Sequence, residues 1–313
     1  MTSVAPHPSP GLSESTLERL VAAKHIAVLT GAGMSADSGL PTYRSGRDAL
    51  WNNVDASEVA SVDAWRSQPL KVWARLMTLR EMMLGCQPNA GHVALVRLAA
   101  SFQVTILTQN IDDLHERAGS ETVRHMHGQL RTVVCVHCRQ HAPPHADAES
   151  LMVCPRCGQR MRPDVVLFNE QLNPEDWTFA QQTVRRCDAL LVVGTSCQVH
   201  PVAALPVLAR RKRKLVVEIN PNPTQTTSVA HECLRTTAAR GPPWLVDTLL
   251  DRTRPTPTPW GGATHVVAPS RSLRSTERPQ RATASGRPNA ALRDAPAKGT
   301  RIATPHRRSS RHQ

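Results

Sequence analysis

The chain predicts an α/β fold, a doubly wound parallel sheet interrupted by one small inserted module. Three observations predict it. Short apolar, β-rich runs alternate with stretches of helical spacing through the first 250 residues. A glycine-rich turn follows directly on the first such run. Four cysteines in two Cys-x2-Cys pairs fall in a loop-rich stretch, about residues 130–164, where the alternation stops.

Taken in order, "STLERLVAA" opens with Ser15 and Thr16 as a helix cap and continues with helical spacing. "HIAVLT" (25–30) is a short apolar run of the kind buried on both faces of a parallel sheet. "HVALVRLAA" (92–100) reads as a helix and "QVTILT" (103–108) as the next strand. "ALLVVGTS" (189–196) reads as a strand entering a turn, "VAALPVLARRKR" (202–213) as a helix, and "KLVVEIN" (214–220) as a further strand. The expected organisation is a disordered N-terminus at 1–13, a folded domain at 14–250 holding the module, and a disordered tail at 251–313.

Composition narrows the function classes. Hydrophobic residues make up 40% of the chain, but there are only 3 Phe, 6 Trp and 1 Tyr, so the core is expected to be aliphatic. No run reaches ~18 apolar residues, so no membrane span is expected. The N-terminus has neither the apolar stretch of a signal peptide nor the arginines of a transit peptide. The expected location is therefore cytoplasmic, where thiols stay reduced. The net charge of +13 belongs to the tail: residues 251–313 hold 13 Lys/Arg against 3 Asp/Glu, which is +10 and leaves +3 for the rest. That tail is rich in Pro, Arg, Ser and Thr and cannot bury enough surface to offset chain entropy. It reads either as a solvated extension or as a weak, salt-sensitive contact with nucleic acid or another polyanion.

Cys135-x2-Cys138 and Cys154-x2-Cys157 are separated by fifteen residues, the spacing of a tetrathiolate zinc ribbon. A closed shell of four sulfurs leaves no position for water or substrate, so the expected zinc is structural. With four thiolates available the metal needs none of His125, His127 or His137, of which His137, inside the first knuckle, is the alternative ligand. Cys86, Cys187, Cys197 and Cys233 show no pairing pattern.

The turn Gly31-Ala32-Gly33-Met34-Ser35-Ala36 fits the G-x-G-x-x-G/A fingerprint, which brings backbone amides close to a pyrophosphate. The acidic residue that a dehydrogenase carries at the end of a second strand is not there. Hydride transfer is therefore disfavoured, and a Rossmann-like fold with another use for the nucleotide is expected.

"GAGMSADSGLPTYR", "TQNIDDLHERAG", "HMHGQL", the two cysteine pairs, "VVLFNE", "GTSCQVHP" and "VEIN" occur in one order. Together they resemble the sirtuins, the NAD-dependent protein-lysine deacylases, over about residues 14–250. "TQNIDDLHERAG" and "PTYR" resemble the bacterial and mitochondrial class that includes desuccinylases. The resemblance implies NAD as cofactor, one structural zinc ion and acylated-lysine proteins as partners. The bond between nicotinamide and ribose breaks, and the acyl-lysine carbonyl oxygen captures the ribose to give O-acyl-ADP-ribose. It further implies roles for particular residues. Asn110 and Asp112 hold the nicotinamide amide, with Ile111 between them, and Gln109 lies by the ribose. Tyr43 and Arg44 sit on the loop covering the cofactor. Gly194, Thr195 and Ser196 form a second approach to the phosphates, and Asn220 binds the adenosine ribose. Histidine titrates near neutral pH, and His127, directly before Gly128, is the base that activates a ribose hydroxyl. His115 is read as a structural hydrogen-bonding residue. Val166, Phe168 and Val199 flank the groove where the substrate peptide adds as a strand.

Two departures follow. Asn169 stands where the family has Gly, tolerable if that position is left-handed. Desuccinylases carry Tyr-x-x-Arg on a helix lining the acyl pocket. The matching stretch "VWARLMTLREMM" places Leu76 and Leu79 there, with Arg75 and Arg80 adjacent in register, so neutral acyl groups are expected over succinyl. The alternative is that these leucines are ordinary core residues. Two other readings of the chain are a mono-ADP-ribosyltransferase on the same scaffold and a zinc-ribbon nucleic-acid-binding protein.

Overall fold

The computed structural model describes residues 11–42, 60–144 and 151–254. Tyr43, Arg44 and the tail beyond Arg254 lie outside the described residues. The strands are β1 (His25–Thr30), β2 (Gln103–Thr108), β3 (Val123–His125), β4 (Gly128–Cys135), β5 (His141–Ala142), β6 (Met161–Val165), β7 (Ala189–Val193), β8 (Leu215–Ile219) and β9 (Glu232–Leu234). The described helices are α1 (Glu14–Val21), α2 (Ala32–Ser35), α3 (Val62–Ser67), α4 (Pro69–Gly85), α5 (Ala90–Ala99), α6 (Leu114–Ala118), α7 (Pro174–Arg186), α8 (Leu205–Arg211) and α9 (Gly241–Thr253).

Six strands form one parallel sheet in the order β3-β2-β1-β7-β8-β9. Counted within that sheet the order is 3-2-1-4-5-6, the doubly wound arrangement, with its switch point between β1 and β7. The central strands are mostly apolar because both faces are covered, with Glu218 of β8 the buried charged exception. On one face Ile26, Val28, Leu191, Val193 and Val217 meet Leu17 and Leu20 of α1, Leu95 and Leu98 of α5, and Leu245 and Leu249 of α9. On the other, Ala27, Leu29, Leu190, Val192 and Val216 meet Ala180 and Val184 of α7 and Leu205 and Ala209 of α8. This body is aliphatic, as the composition predicts.

Two local expectations shift. The cap of α1 is Ser13, not the Ser15–Thr16 pair: its side chain accepts from the Thr16 N–H at 3.3 Å, and its own N–H donates to Glu232 at the start of β9 at 2.8 Å. The helix expected at 202–213 begins as a 3₁₀ turn, Val202–Ala204, and becomes α-helical at Leu205, where Pro206 sits in the first turn and needs no N–H partner.

A second, smaller domain holds the antiparallel sheet β5-β4-β6, covered by α3 and α4. It is thus built from two separated stretches, and the sequence revealed only one of them. Its core departs from the aliphatic expectation: Trp73 is fully buried, with Met77, Met83 and Met161 around it. Asn169 at its edge has φ +65°, the left-handed conformation that suits Asn next after Gly. Among the described residues no helix is long and apolar enough to cross a membrane.

Candidate active site and zinc centre

The switch point places the ends of β1 and β7 side by side. Gly31 donates its N–H to Val193 O at 3.2 Å, and Gly33 to Gly194 O at 2.8 Å. Gly194 has φ +60°, and a Cβ there would stand 2.4 Å from the Met34 nitrogen. Only glycine permits this approach, so the two turns interlock. Ala32 opens α2, and Ala36 starts the 3₁₀ turn that follows it.

The end of β2 runs into Gln109–Asp112 beside these turns. Gln109 Nε2 donates to Thr195 Oγ1 at 2.8 Å. Asn110 Nδ2 donates to Gly31 O and to Ser35 Oγ, each at 3.1 Å. Asp112 accepts from Ser35 Oγ at 2.9 Å and from the Leu114 N–H at 3.1 Å. Ile111 accepts from the Leu130 N–H at 3.0 Å, tying the turn to the small domain. Burial pushes the Asp112 carboxyl up, opposed by the Ser35 hydroxyl, the Leu114 N–H and the nearby His125. Ser35 is a site residue that sequence reasoning missed. It is buried and joins Asn110 to Asp112, but one serine in a glycine-rich turn carries no signal of what it will touch.

The histidines separate cleanly. His127 Nδ1 lies 3.0 Å from the Gln109 carbonyl, so it must donate, and the ring tautomer leaves the lone pair on Nε2. That Nε2 is buried and has no partner among the described residues. Burial pushes the imidazole down, partly opposed by the Gln109 carbonyl, so it is neutral at neutral pH. Gly128, next in the chain, has φ +74°, and a Cβ there would meet Asp164 O at 2.2 Å. The missing side chain lets β6 close on His127, whose carbonyl accepts from Val166 N–H at 2.8 Å. His115 is buried against Thr30 Oγ1 at 3.1 Å, the structural role expected of it. His125 bonds to Asn110 O at 2.9 Å and to Glu116 Oε1 at 2.7 Å. His137 is exposed.

At the far side, Asn220 Nδ2 donates to Thr195 O at 3.2 Å, and Ser196 is exposed. Arg235 pairs with buried Glu218 at 2.8 Å and donates to Asn222 O at 3.1 Å, fixing the loop after β8. Phe168 N–H and C=O are both committed, to Ala60 O at 2.9 Å and the Val62 N–H at 3.0 Å. Val199 is half-buried, Leu76 is buried in the small-domain core, and Leu79 packs at its margin.

The four Sγ atoms of Cys135, Cys138, Cys154 and Cys157 lie within 4.8 Å of one another, without His137. Cys135–Cys157 is 3.5 Å and Cys138–Cys154 3.6 Å, near the ~3.8 Å edge of a tetrahedron with Zn–S of ~2.3 Å. Each knuckle closes with a left-handed residue, Arg139 at φ +59° or Gly158 at φ +72°. The four sulfurs are close enough to couple one another's ionisation. Burial opposes ionisation of Cys135, yet the N–H groups of Cys138 and His137 and the neighbouring sulfurs hold it at about 6. The Gln159 N–H favours the Cys157 thiolate, yet burial and the other three sulfurs push it up to about 12. One divalent cation resolves that conflict, and the donor set fits zinc.

The profile of the Sir2 family matches residues 31–201. A Corynebacterium glutamicum protein named NAD-dependent protein deacylase is 42% identical over 246 residues, covering 74% of this chain and 94% of its own. A solved Sir2 homologue in complex with NAD superposes with a TM-score of 0.73 at 37% identity, over 79% of this chain and 97% of that one. A mutant Sir2 homologue bound to 2′-O-acetyl ADP ribose superposes with a TM-score of 0.71 at 38% identity, over 77% and 98%. The chain belongs to the Sir2 family.

Proposed function

We propose that this protein is an NAD-dependent protein-lysine deacylase with His127 as its general base. One observation carries the assignment of the base: a buried, unpartnered Nε2 lone pair on a ring whose other nitrogen is fixed by the Gln109 carbonyl. An acceptor left without a partner in a buried place is costly unless a ligand completes it. NAD, when bound, supplies a ribose that becomes electrophilic as nicotinamide leaves. The chain's own residues do the rest. The interlocked glycine turns let the phosphates come close to the main chain between β1 and β7, while the N–H groups of Gly31, Gly33 and Gly194 hold the two turns themselves in place. Asn110 and Asp112, tied together through Ser35, present a carboxamide and a carboxylate to the nicotinamide amide. His127 Nε2 takes the proton of a ribose hydroxyl, and its neutrality at neutral pH suits it to that. The four-cysteine site sits apart from these steps and holds the fold of the small domain.

Leu76 fills the small-domain core, so the support for a neutral acyl group over succinyl rests on half-buried, apolar Leu79, because a buried carboxylate left unpaired costs ~3–5 kcal/mol. A cytosolic setting suits four free thiols that must stay reduced to hold zinc.

Mass spectrometry of acetyl-, succinyl- and myristoyl-lysine peptides with NAD tests the reading. Loss of an acyl group with formation of O-acyl-ADP-ribose is expected, reduced ~10²–10⁴-fold in His127→Ala. ADP-ribose on protein, with every acyl group intact, would replace the deacylase by a transferase. Succinyl removed fastest would overturn the acyl preference alone.

A further inference from the structure

Two residues before the base, His125 ends β3 with a side chain only 10% exposed. Its Nδ1 is 2.9 Å from the Asn110 carbonyl and its Nε2 is 2.7 Å from Glu116 Oε1. A carbonyl and a carboxylate both only accept, so both ring nitrogens must donate, and the ring is an imidazolium. His127 makes the opposite arrangement: its Nδ1 faces a carbonyl, and its Nε2 lone pair has no partner among the described residues. The motif thus sets one charged and one neutral imidazole side by side.

We propose that His125 is a positioning residue: clamped as a cation between the Asn110 carbonyl and Glu116, it holds the Gln109–Asp112 turn in the shape that grips the nicotinamide amide. The inference rests on the deacylase reading and deepens it. Asn110 and Asp112 carry the recognising groups on a turn whose flanking carbonyls are held by His127 at Gln109 and by the Leu130 N–H at Ile111. The Asn110 N–H is tied to Thr108 Oγ1 at 3.1 Å, but its carbonyl is held by His125. The charges around the ring agree with a cation. Asp112 faces it from the turn and Glu116 from α6; Arg131 of β4 acts on Glu116. His115, also on α6, is neutral, because burial and then the nearby rings of His92 and His125 hold it well below the usual histidine range. Burial alone would lower His125, but Glu116, the Asn110 carbonyl and Asp112 outweigh it and raise the ring. The cation in turn favours ionised Asp112 against its burial. When pH rises past the His125 value the proton leaves, one of the two bonds is lost, and the turn loosens. That step belongs to the alkaline side of the profile, whereas protonation of His127 belongs to the acid side.

The test compares wild type with Glu116→Gln, which keeps the shape and removes the charge. Nitrogen NMR of ring-labelled protein at neutral pH should show both His125 nitrogens protonated in wild type, and one in Glu116→Gln. The alkaline limb of nicotinamide exchange should move down by about one pH unit in the variant, with the acid limb unmoved. At neutral pH exchange should fall about tenfold while ADP-ribose, which lacks the nicotinamide, binds unchanged. Equal losses of exchange and of ADP-ribose binding would mean a merely structural contact and overturn the proposal. A singly protonated wild-type ring would overturn it without any variant. A doubly protonated ring and unchanged alkaline limb would also overturn it. If wild type neither exchanges nicotinamide nor removes any acyl group, while its ring is doubly protonated, the deacylase reading fails and the clamp survives as geometry only.

Discussion

The sheet body and the small domain achieve order by different means. The body buries both faces of five- and six-residue apolar strands under α1, α5, α7, α8 and α9. The small domain has strands of eight, two and five residues, one of which is a bare pair. It closes around four sulfurs and the fully buried Trp73. The difference places the chemistry. Asn110 and Asp112 issue from the body, whereas His127 immediately precedes β4 of the small domain. A fault in the small domain should therefore disable the base while leaving the nucleotide turns intact.

The largest break in that comparison comes from the metal. Structural zinc contributes ~10–16 kcal/mol to folding in small domains. One zinc per chain is expected by elemental analysis. Its removal, or Cys154→Ser, should abolish deacylation and disorder the surroundings of Trp73, seen in the near-UV spectrum, while ADP-ribose still binds. Full activity in a metal-stripped protein would mean that the small domain stands without its ion.

Trp73→Ala should cost ~3–5 kcal/mol, read by denaturant titration. Leu191→Ala in the body should cost a similar ~2–5 kcal/mol. The contrast lies in function: the first should lose deacylation ahead of ADP-ribose binding, the second should lose both together. Parallel losses in both variants would erase the distinction.

Acid should act on the body through His92, which caps α5 with Asn89. Burial pushes its imidazole down from 6.5 to about 4. Below pH 6.5 the unfolded chain takes up a proton there that the folded chain refuses until about 4, so stability falls across that window, by on the order of 3 kcal/mol. Buried His115 adds to the same trend. His92→Gln should flatten stability against pH in that range, measured by urea unfolding at several pH values. An unchanged slope would remove His92 from the account.

The smallest effect is at Asn169, with φ +65°. Replacement by Ala should cost ~1–2 kcal/mol in melting experiments, and replacement by Gly should be neutral or slightly stabilising. Equal melting temperatures for all three would show that the small-domain edge tolerates strain.

β1, β2, β7 and β8 were legible because each is an apolar run between helical stretches, and the zinc site because four cysteines at fixed spacing have few other uses. β3 and β9 were not, since three residues are too few to show a period. The packing of α4 on the zinc strands was hidden for another reason: "VWARLMTLREMM" reads as an apolar helix whatever it faces, and only the fold supplies its partner. His125 looked superfluous beside His127 because its two acceptors, Asn110 and Glu116, lie fifteen and nine positions earlier in the chain. Asn169 was readable, because a side chain that tolerates the left-handed region announces it.

The small domain's split origin makes it unlike a cassette. Residues 128–165 carry the cysteines and strands, but Trp73 and Leu76, which fill their core, arrive from a helix more than forty positions upstream. A graft of the cysteine segment into a relative would bring its metal and leave its hydrophobic half behind. The helix with its leucines therefore cannot drift independently of the strands it covers.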